Sequence, residues 1–178
     1  MTPTSPASDP APARPVSAMR RALAYRVFWA CALGVGSLDQ LSKGWIALRL
    51  PYPTYGESGA ICVVRDFCYL VHVGNTGAAW SLFSGRSVLL ALLAGATLAA
   101  IFFWRRSLGL RDRLAQISFG LLCGGIAGNL LDRLRHGYVV DFLDLHFGHY
   151  VYPTFNLADA GICTGVGLFL IFSLRHPD

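Results

Sequence analysis

Long apolar stretches dominate the chain, and most polar residues lie between them. The four stretches cover residues 24–47, 88–104, 114–131 and 157–174. Each approaches the roughly 20 apolar residues that a helix needs to cross the hydrocarbon core of a bilayer. Residues 61–73 are instead rich in β-branched and aromatic side chains, which predicts one or two strands. We therefore predict a mainly α integral membrane protein, a bundle of four transmembrane helices with a small extracytoplasmic sheet.

Composition supports a membrane protein with one domain. The chain has 178 residues, of which 54% are hydrophobic and only 14% are charged. A soluble domain would carry roughly a quarter charged residues. Residues 1–18 are rich in Pro, Ala and Ser, which predicts a disordered tail. The remainder, residues 19–178, is expected to form a single membrane domain. No small-residue cleavage site follows the first apolar stretch, so we expect that stretch to remain as an anchor.

The basic residues indicate how the chain is oriented. The net charge is +5, but the positive residues lie at the ends of apolar stretches and form no stripe with stacking aromatics. This distribution favours anchoring at an anionic leaflet over binding of nucleic acid. The positive clusters are Arg20, Arg21 and Arg26, and then Arg105, Arg106, Arg111 and Arg113. By the positive-inside rule these clusters are cytoplasmic, as are both termini. Segments 48–87 and 132–156 then lie on the opposite face.

Two aspartates, Asp141 and Asp159, stand beside apolar residues at the edges of membrane-length segments. A carboxylate in such a place costs at least a few kcal/mol, so membrane proteins rarely keep one without a use for it. Neither has a cation next to it in the sequence. Two carboxylates brought together resist double ionisation and share one proton, which supplies an acid and a base at once. Asn156, three residues before Asp159, can orient it. Asp144 is a spare acid that the sequence does not exclude.

Two further polar groups have a structural and a functional interpretation. Asp39 and Lys43 are four residues apart, hence on one helix face, and an ion pair that fixes the first helix is the simpler interpretation. Asn129, Asp132 and Arg133 form a second group at the end of the third stretch. We expect Arg133 to keep Asp132 ionised, which suits structural support better than proton transfer.

The remaining motifs carry weaker signals. Asn75 and Gly77 belong to a segment that is either an ordinary turn or a place where the backbone approaches a ligand closely. Cys62 and Cys68 share a loop and can pair, although their spacing matches no metal or redox motif. The histidines also lack metal-ligand spacing. A cation site is an alternative use for two acids at one membrane face. Such a site needs oxygen-rich ligands, and the apolar flanks of these two acids do not supply them.

The ordered set of motifs closely resembles one known family. The motifs are Asp39-Gln40-Leu41-Ser42-Lys43, Asn75-Thr76-Gly77-Ala78-Ala79-Trp80, Gly124-Gly125 with Gly128-Asn129 and Asp132-Arg133, Val139-Val140-Asp141-Phe142, and Phe155-Asn156-Leu157-Ala158-Asp159. Together they are similar to those of bacterial lipoprotein signal peptidase, also called signal peptidase II. The resemblance extends from about residue 24 to residue 174, and the Pro-rich tail lies outside it.

The resemblance implies an intramembrane aspartyl protease of the bacterial inner membrane, with four helices and a small periplasmic β-cradle. Its substrate is a prolipoprotein whose lipobox cysteine carries a diacylglyceryl group, and cleavage falls on the amino side of that cysteine. The positions of the family's catalytic pair match Asp141 and Asp159. Those that line or brace the site match Asp39, Lys43, Asn75, Gly77, Asn129, Asp132, Arg133 and Asn156. The resemblance also implies inhibition by globomycin and no metal or organic cofactor. Nothing in the sequence requires more than a monomer in contact with membrane lipid.

Two other classes of protein remain as alternatives. A small proton- or ion-coupled carrier would use Asp39, Asp132, Asp141 and Asp159 as a relay, and it predicts acids distributed across the bilayer. A non-catalytic membrane scaffold predicts that replacing Asp141 or Asp159 by Asn leaves function intact.

Overall fold

The computed structural model describes residues 24–56 and 59–175. In chain order its elements are helix α1 (Arg26–Arg49), strands β1 (Ile61–Val64) and β2 (Cys68–Asn75), a short 3₁₀ turn (Ala79–Ser81), helices α2 (Ser87–Trp104) and α3 (Arg113–His136), strands β3 (Val139–Phe147) and β4 (Tyr150–Phe155), and helix α4 (Leu157–Arg175). The prediction of a mainly helical protein with a small sheet is confirmed. The predicted tail, residues 1–18, lies outside the described residues.

Each predicted span coincides with a helix, although the ends differ. Within the described residues, three helices are long and apolar enough to cross a membrane, namely α2, α3 and α4. Helix α1 is continuous, but buried Asp39 and Lys43 interrupt its apolar sequence. Helix α3 continues past the predicted end at residue 131 to His136, where Gly137 ends it in the left-handed conformation with φ 78°. The polar motif around Asp132 therefore lies within this helix.

Helix α3 is central because its glycines let α1 and α4 approach its backbone. A Cβ atom added to Gly124 would lie 2.5 Å from the Ala32 carbonyl oxygen of α1. One added to Gly125 would collide with the Ala158 carbonyl oxygen of α4. Such close approach is the usual role of small residues between membrane helices. The start of α4, which carries Asp159, is thus held directly against α3.

Replacing Gly125 by Ala is expected to destabilise the protein by about 1–3 kcal/mol, because the added methyl group must push α4 away from α3. The shift occurs at Ala158, next to Asp159, so activity should fall as well. The matched control is Gly95→Ala in α2, where an added Cβ meets nothing within 4 Å. Thermal unfolding of the two purified variants in detergent measures the difference. Equal midpoints for both variants would contradict this packing.

The antiparallel sheet has the strand order β1-β2-β3-β4, so β3 is an inner strand. Buried Ile46 of α1 and Leu50, which directly follows that helix, pack against buried Phe142 of β3 and so attach the sheet to the helices. The prediction of one or two strands within residues 61–73 is confirmed by β1 and β2. The β3–β4 hairpin was not predicted from the sequence. Because β3 is an inner strand, Asp141 lies opposite Val73 of β2. It is thus above the C-terminal end of α3 and the N-terminal end of α4.

Candidate active site

Asn156 connects the two predicted catalytic aspartates. It precedes α4 and caps that helix reciprocally with Asp159: its Oδ1 accepts from the Asp159 N–H at 3.0 Å, and Asp159 Oδ2 accepts from the Asn156 N–H at 3.2 Å. The Asn156 Nδ2 also donates to Asp141 Oδ1 at 2.7 Å. Asn156 thus binds both carboxylates, that of Asp141 on β3 through its side-chain amide and that of Asp159 in the first turn of α4 through its backbone N–H.

Each carboxylate is held by a second asparagine as well. Asn75, at the end of β2, donates to Asp141 Oδ2 at 3.0 Å. Asn129 of α3 donates to Asp159 Oδ1 at 2.7 Å. All four carboxylate oxygens therefore accept an N–H from a neutral group. The contacts fix the orientation of both acids without neutralising their charge by a direct ion pair.

The environment of Asp141 favours its protonated form. Its side chain lies on β3 and only 2% of the residue surface is exposed. Burial, and next the charge of Asp159, raise the pKa of Asp141 to about 7, although hydrogen bonds from Asn75 and Asn156 and the charge of Lys43 act in the opposite direction. Near neutral pH, Asp141 can therefore either hold or release a proton, as an acid–base group requires.

A buried ionic cluster lies beneath these two acids. The Lys43 ammonium contacts Asp39 Oδ2 and Asp132 Oδ2, both at 2.8 Å, and donates to Asn129 Oδ1 at 3.0 Å. All three charged residues are less than 5% exposed. One cation between two carboxylates reduces the desolvation cost that each would otherwise carry. The predicted pair of Asp39 and Lys43 is thus part of a larger group that also contains Asp132.

The two carboxylates of this cluster also hold the backbone beside each candidate catalytic acid. Asp39 Oδ1 accepts from the Ala158 N–H at 3.0 Å, and Asp132 Oδ2 accepts from the Val140 N–H at 3.1 Å. Ala158 precedes Asp159, and Val140 precedes Asp141. The cluster therefore ties α1 and α3 to the backbone that carries both acids.

Arg133 faces away from Asp132, although the two residues are adjacent in the chain. Consecutive residues of a helix point about 100° apart, so Asp132 faces α1 whereas Arg133 faces the turn after β2. The Arg133 Nη2 donates to the Gly77 carbonyl at 2.8 Å, and Nη1 lies 3.5 Å from the Asn129 carbonyl. Its Nε is buried without a hydrogen-bond partner among the described residues. Lys43, not Arg133, is the cation that contacts Asp132.

The segment after β2 is a specific turn rather than an ordinary one. Asn75 Oδ1 accepts from the Gly77 N–H at 2.9 Å, while its amide group holds Asp141. A Cβ on Gly77 would lie 2.7 Å from the Leu82 carbonyl oxygen, so only glycine fits without rearrangement. The structure thus brings all ten predicted residues together around the site: Asp39, Lys43, Asn75, Gly77, Asn129, Asp132, Arg133, Asp141, Asn156 and Asp159.

Sequence reasoning missed Gln40 as a member of the site. Its Nε2 donates to Asp132 Oδ1 at 2.9 Å and also lies 3.2 Å from Asp39 Oδ2. Its Oε1 lies 3.3 Å from Arg135 Nη1. The sequence signal that could have identified Gln40 is its polar side chain next to Asp39 in a membrane helix.

The other candidates lie apart from this group. Asp144 is bonded to His146 instead, with 2.9 Å between Oδ2 and Nε2. Cys62 and Cys68 are free thiols and not a disulfide. Among residues 24–56 and 59–175, no group of three or more His, Cys, Asp or Glu side chains is arranged to hold a metal ion.

Comparison with known proteins identifies the family of the chain. The family model described as signal peptidase (SPase) II matches residues 31–175, which include all ten of these residues. The chain belongs to the signal peptidase II family. It is 37% identical over 154 residues to the lipoprotein signal peptidase of Geobacillus thermodenitrificans, covering 85% of this chain and 93% of that protein. It is 38% identical over 153 residues to that of Geobacillus kaustophilus, covering 85% and 96%.

The fold is similar to those of two solved bacterial membrane enzymes. Two structures of bacterial membrane enzymes, determined by the in meso method at 2.3 and 1.9 Å resolution, superpose with TM-scores of 0.75 and 0.71, each at 29% identity. The first superposition covers 84% of this chain and 88% of the other chain, and the second covers 86% of this chain and 95% of the other chain. The resemblance to signal peptidase II is confirmed. The chain is therefore a membrane peptidase, and the carrier and scaffold alternatives are not retained.

Proposed function

We propose that this signal peptidase II family member removes the signal peptide from diacylglyceryl-modified prolipoproteins, with Asp141 and Asp159 as the catalytic pair. Cleavage falls on the amino side of the lipidated cysteine. The main support for the pair is that Asn156 donates to both carboxylates, through its side-chain amide to Asp141 and through its backbone N–H to Asp159, while burial raises the pKa of Asp141 to about 7. Neither metal nor organic cofactor has a role in this proposal.

The reaction needs one water molecule and one proton held by the pair. The ionised carboxylate takes a proton from water as the oxygen attacks the carbonyl carbon of the scissile bond. The protonated carboxyl gives its proton to the carbonyl oxygen, which forms a neutral tetrahedral intermediate. Collapse of that intermediate breaks the C–N bond, and a proton passes to the leaving amine. The products are the signal peptide with a new carboxylate and the lipoprotein with a free amino-terminal cysteine.

The surrounding residues position this pair and the substrate. Asn75, Asn129 and Asn156 orient the carboxylates through the hydrogen bonds described above. Lys43, together with Asp39 and Asp132, holds the backbone beneath them. Arg133 keeps a buried Nε–H without a partner among the described residues, and we assign that donor to a substrate carbonyl. Gly77 allows the substrate to approach the turn that Arg133 holds.

The proposed membrane arrangement follows the charge distribution. Helix α1 joins α2, α3 and α4 as the fourth transmembrane helix of the bacterial inner membrane. The sheet forms a periplasmic β-cradle beside the active site, and both termini are cytoplasmic, since the Arg105–Arg113 region between α2 and α3 is rich in arginine. Residues 19–178 constitute one membrane peptidase domain that acts as a monomer in contact with lipid, and residues 1–18 form its tail.

A matched pair of substrates tests the proposed substrate class. The purified protein should release the signal peptide from a prolipoprotein bearing a diacylglyceryl cysteine, and not from the same protein without lipid. Mass spectrometry of both fragments locates the cleaved bond. A globomycin-type cyclic peptide should block the reaction by occupying the active site. Failure to cleave the lipidated form, or equal cleavage of both forms, would refute the assignment.

Activity should fall as the pH rises through about 7. The pKa of Asp141 is raised to about 7, so below that pH the pair keeps its proton and above it both carboxylates are ionised and no acid remains. The initial rate of signal-peptide release against pH measures this. Removing the Asn75 donor with Asn75→Ala should move the fall to higher pH, because the Asn75 hydrogen bond lowers the pKa. A fall that is unmoved, or that moves to lower pH, contradicts this origin of the pH dependence.

A further inference from the structure

Gln40 of α1 lies between the buried ionic cluster and an exposed arginine. Its Nε2 donates to Asp132 Oδ1 at 2.9 Å and lies 3.2 Å from Asp39 Oδ2. On the other side, its Oε1 accepts from Arg135 Nη1 at 3.3 Å. Ionised carboxylates only accept hydrogen bonds and a guanidinium only donates them. The amide nitrogen therefore faces the two acids and the amide oxygen faces Arg135, so the direction of the Gln40 side chain is fixed.

Gln40 completes the hydrogen bonding of the Asp132 carboxylate. Asp132 is only 2% exposed, and its Oδ2 is held by Lys43 and by the Val140 N–H. For Oδ1, Gln40 is the one donor that the structure describes. Without it a buried carboxylate oxygen would be unpaired, and the carboxylate would be free to rotate away from the Val140 N–H. Gln40 thus helps to hold the backbone that precedes Asp141.

The same amide nitrogen lies beside the second carboxylate of the cluster. Asp39 Oδ2, which is 3.2 Å from the Gln40 Nε2, belongs to the carboxylate whose Oδ1 accepts from the Ala158 N–H at 3.0 Å. Ala158 precedes Asp159 in α4. One side chain therefore contacts both carboxylates that hold the backbone beside the two candidate catalytic acids.

The packing of α1 against α3 leaves little freedom at this point. The Gln40 Nε2 also lies 3.3 Å from the Gly128 carbonyl oxygen of α3. A Cβ atom added to Gly128 would lie 2.6 Å from Asp39 Oδ2, so the two helices are as close here as the glycine allows. Gln40 is consequently held at a tight interface, and its loss cannot be repaired by a small shift of either helix.

We infer that Gln40 is a positioning residue of the peptidase, which sets the relative placement of Asp141 and Asp159 through the carboxylates of Asp132 and Asp39. None of its described contacts is with either catalytic acid, so it takes no part in proton transfer. A misplacement of reacting groups by roughly 1 Å can slow a reaction about 100-fold. The loss of Gln40 should therefore slow the chemical step and leave substrate binding unchanged. This inference rests on the proposed function.

The first test is Gln40→Met, which keeps an unbranched side chain and removes the amide. With a lipidated prolipoprotein as substrate, its kcat should fall about tenfold or more, and its KM should stay within about threefold of the wild type. The matched control is Gln116→Met, at the other glutamine of the chain. Gln116 is buried and donates to the carbonyls of Ala24 and Leu110 at the opposite end of α3. Its loss should lower the thermal midpoint but not the kcat of the folded enzyme.

A second test reverses the hydrogen bond between Gln40 and Asp132. Gln40→Glu brings an acceptor against the Asp132 carboxylate, and Asp132→Asn brings a donor against the Gln40 amide, so each single variant should lose kcat. The double variant again pairs a donor with an acceptor and has the same total charge as the wild type. Its kcat should exceed that of Gln40→Glu by about tenfold or more. Such recovery is not expected if Gln40 only fills space.

The outcomes separate the possible failures. An unchanged kcat in Gln40→Met, an effect on KM alone, or a double variant no better than the product of its two single losses would overturn the role of Gln40 and leave the peptidase function intact. If Gln40→Met does not fold, the double variant decides, because it keeps a polar pair at the interface. No cleavage of the lipidated substrate by the wild type refutes the function itself, and the positioning role with it.

Discussion

Asp141→Asn and Asp159→Asn should each reduce signal-peptide release by roughly 10³-fold or more, because each removes a proton-transfer group from the reaction. Asparagine has nearly the same volume and keeps one oxygen to accept a hydrogen bond. The amide held by Asn75 or Asn129 can therefore remain in place while the chemistry is lost. Cleavage of a diacylglyceryl-modified prolipoprotein by each purified variant measures the effect.

Two comparisons make this result specific. Asp66→Asn, at an exposed acid on the same sheet, should keep full activity. Thermal unfolding should show that both dyad variants are folded. If Asp132→Asn abolished turnover in a folded protein while Asp141→Asn retained it, the assignment of the pair would be wrong.

Replacing Lys43 by Met should destabilise the protein by about 3–5 kcal/mol, because it leaves two buried carboxylates without their cation. Lys43 lies 2.8 Å from both Asp39 and Asp132, and these acids hold the backbone of Ala158 and Val140. Activity should therefore be lost together with stability. Unfolding of the purified variant in detergent measures the first effect, and signal-peptide release measures the second.

The control variants separate charge from shape. Arg49→Met removes an exposed cation of the same helix and should change stability by no more than about 0.5 kcal/mol. Lys43→Met introduced into an Asp39→Asn/Asp132→Asn background should cost clearly less than it does in the wild type, since few charges then remain to be compensated. An equal cost in both backgrounds would mean that Lys43 fills space rather than neutralises charge.

Hydropathy alone predicted where the helices lie, because membrane-length apolar runs have few other stable conformations. The predicted span ends at residue 131, short of the helix end at His136, because the last turn contains Asp132 and Arg133 and no longer looks apolar. The β3–β4 hairpin was also missed. Asp141 and Asp144 interrupt its apolar pattern, and irregular pairing of β3 with β4 between Leu143 and Leu145 disturbs simple alternation.

The sequence predicted which residues form the candidate site better than it predicted the contacts between them. The apolar flanks of Asp141 and Asp159 marked them as the candidate pair, the spacing of Asp39 and Lys43 placed those two on one helix face, and family resemblance then implied the roles of these and the remaining positions. None of these signals could identify Lys43 as the partner of Asp132, because that contact joins two helices at an angle set by packing at Gly124 and Gly128. The role of Gln40 likewise depends on the side chain of Asp132 across that interface.

The shared proton of the catalytic pair is the central claim, and an infrared titration of the purified protein tests it most directly. The predicted result is one protonated-carboxyl C=O band that disappears as the pH rises through about 7, the raised pKa of Asp141. The band should be absent from Asp141→Asn. In Asp159→Asn it should disappear at lower pH, because the charge of Asp159 helps to raise that pKa. A band that persists unchanged in Asp141→Asn, or the absence of any such band in the wild type, would contradict the account.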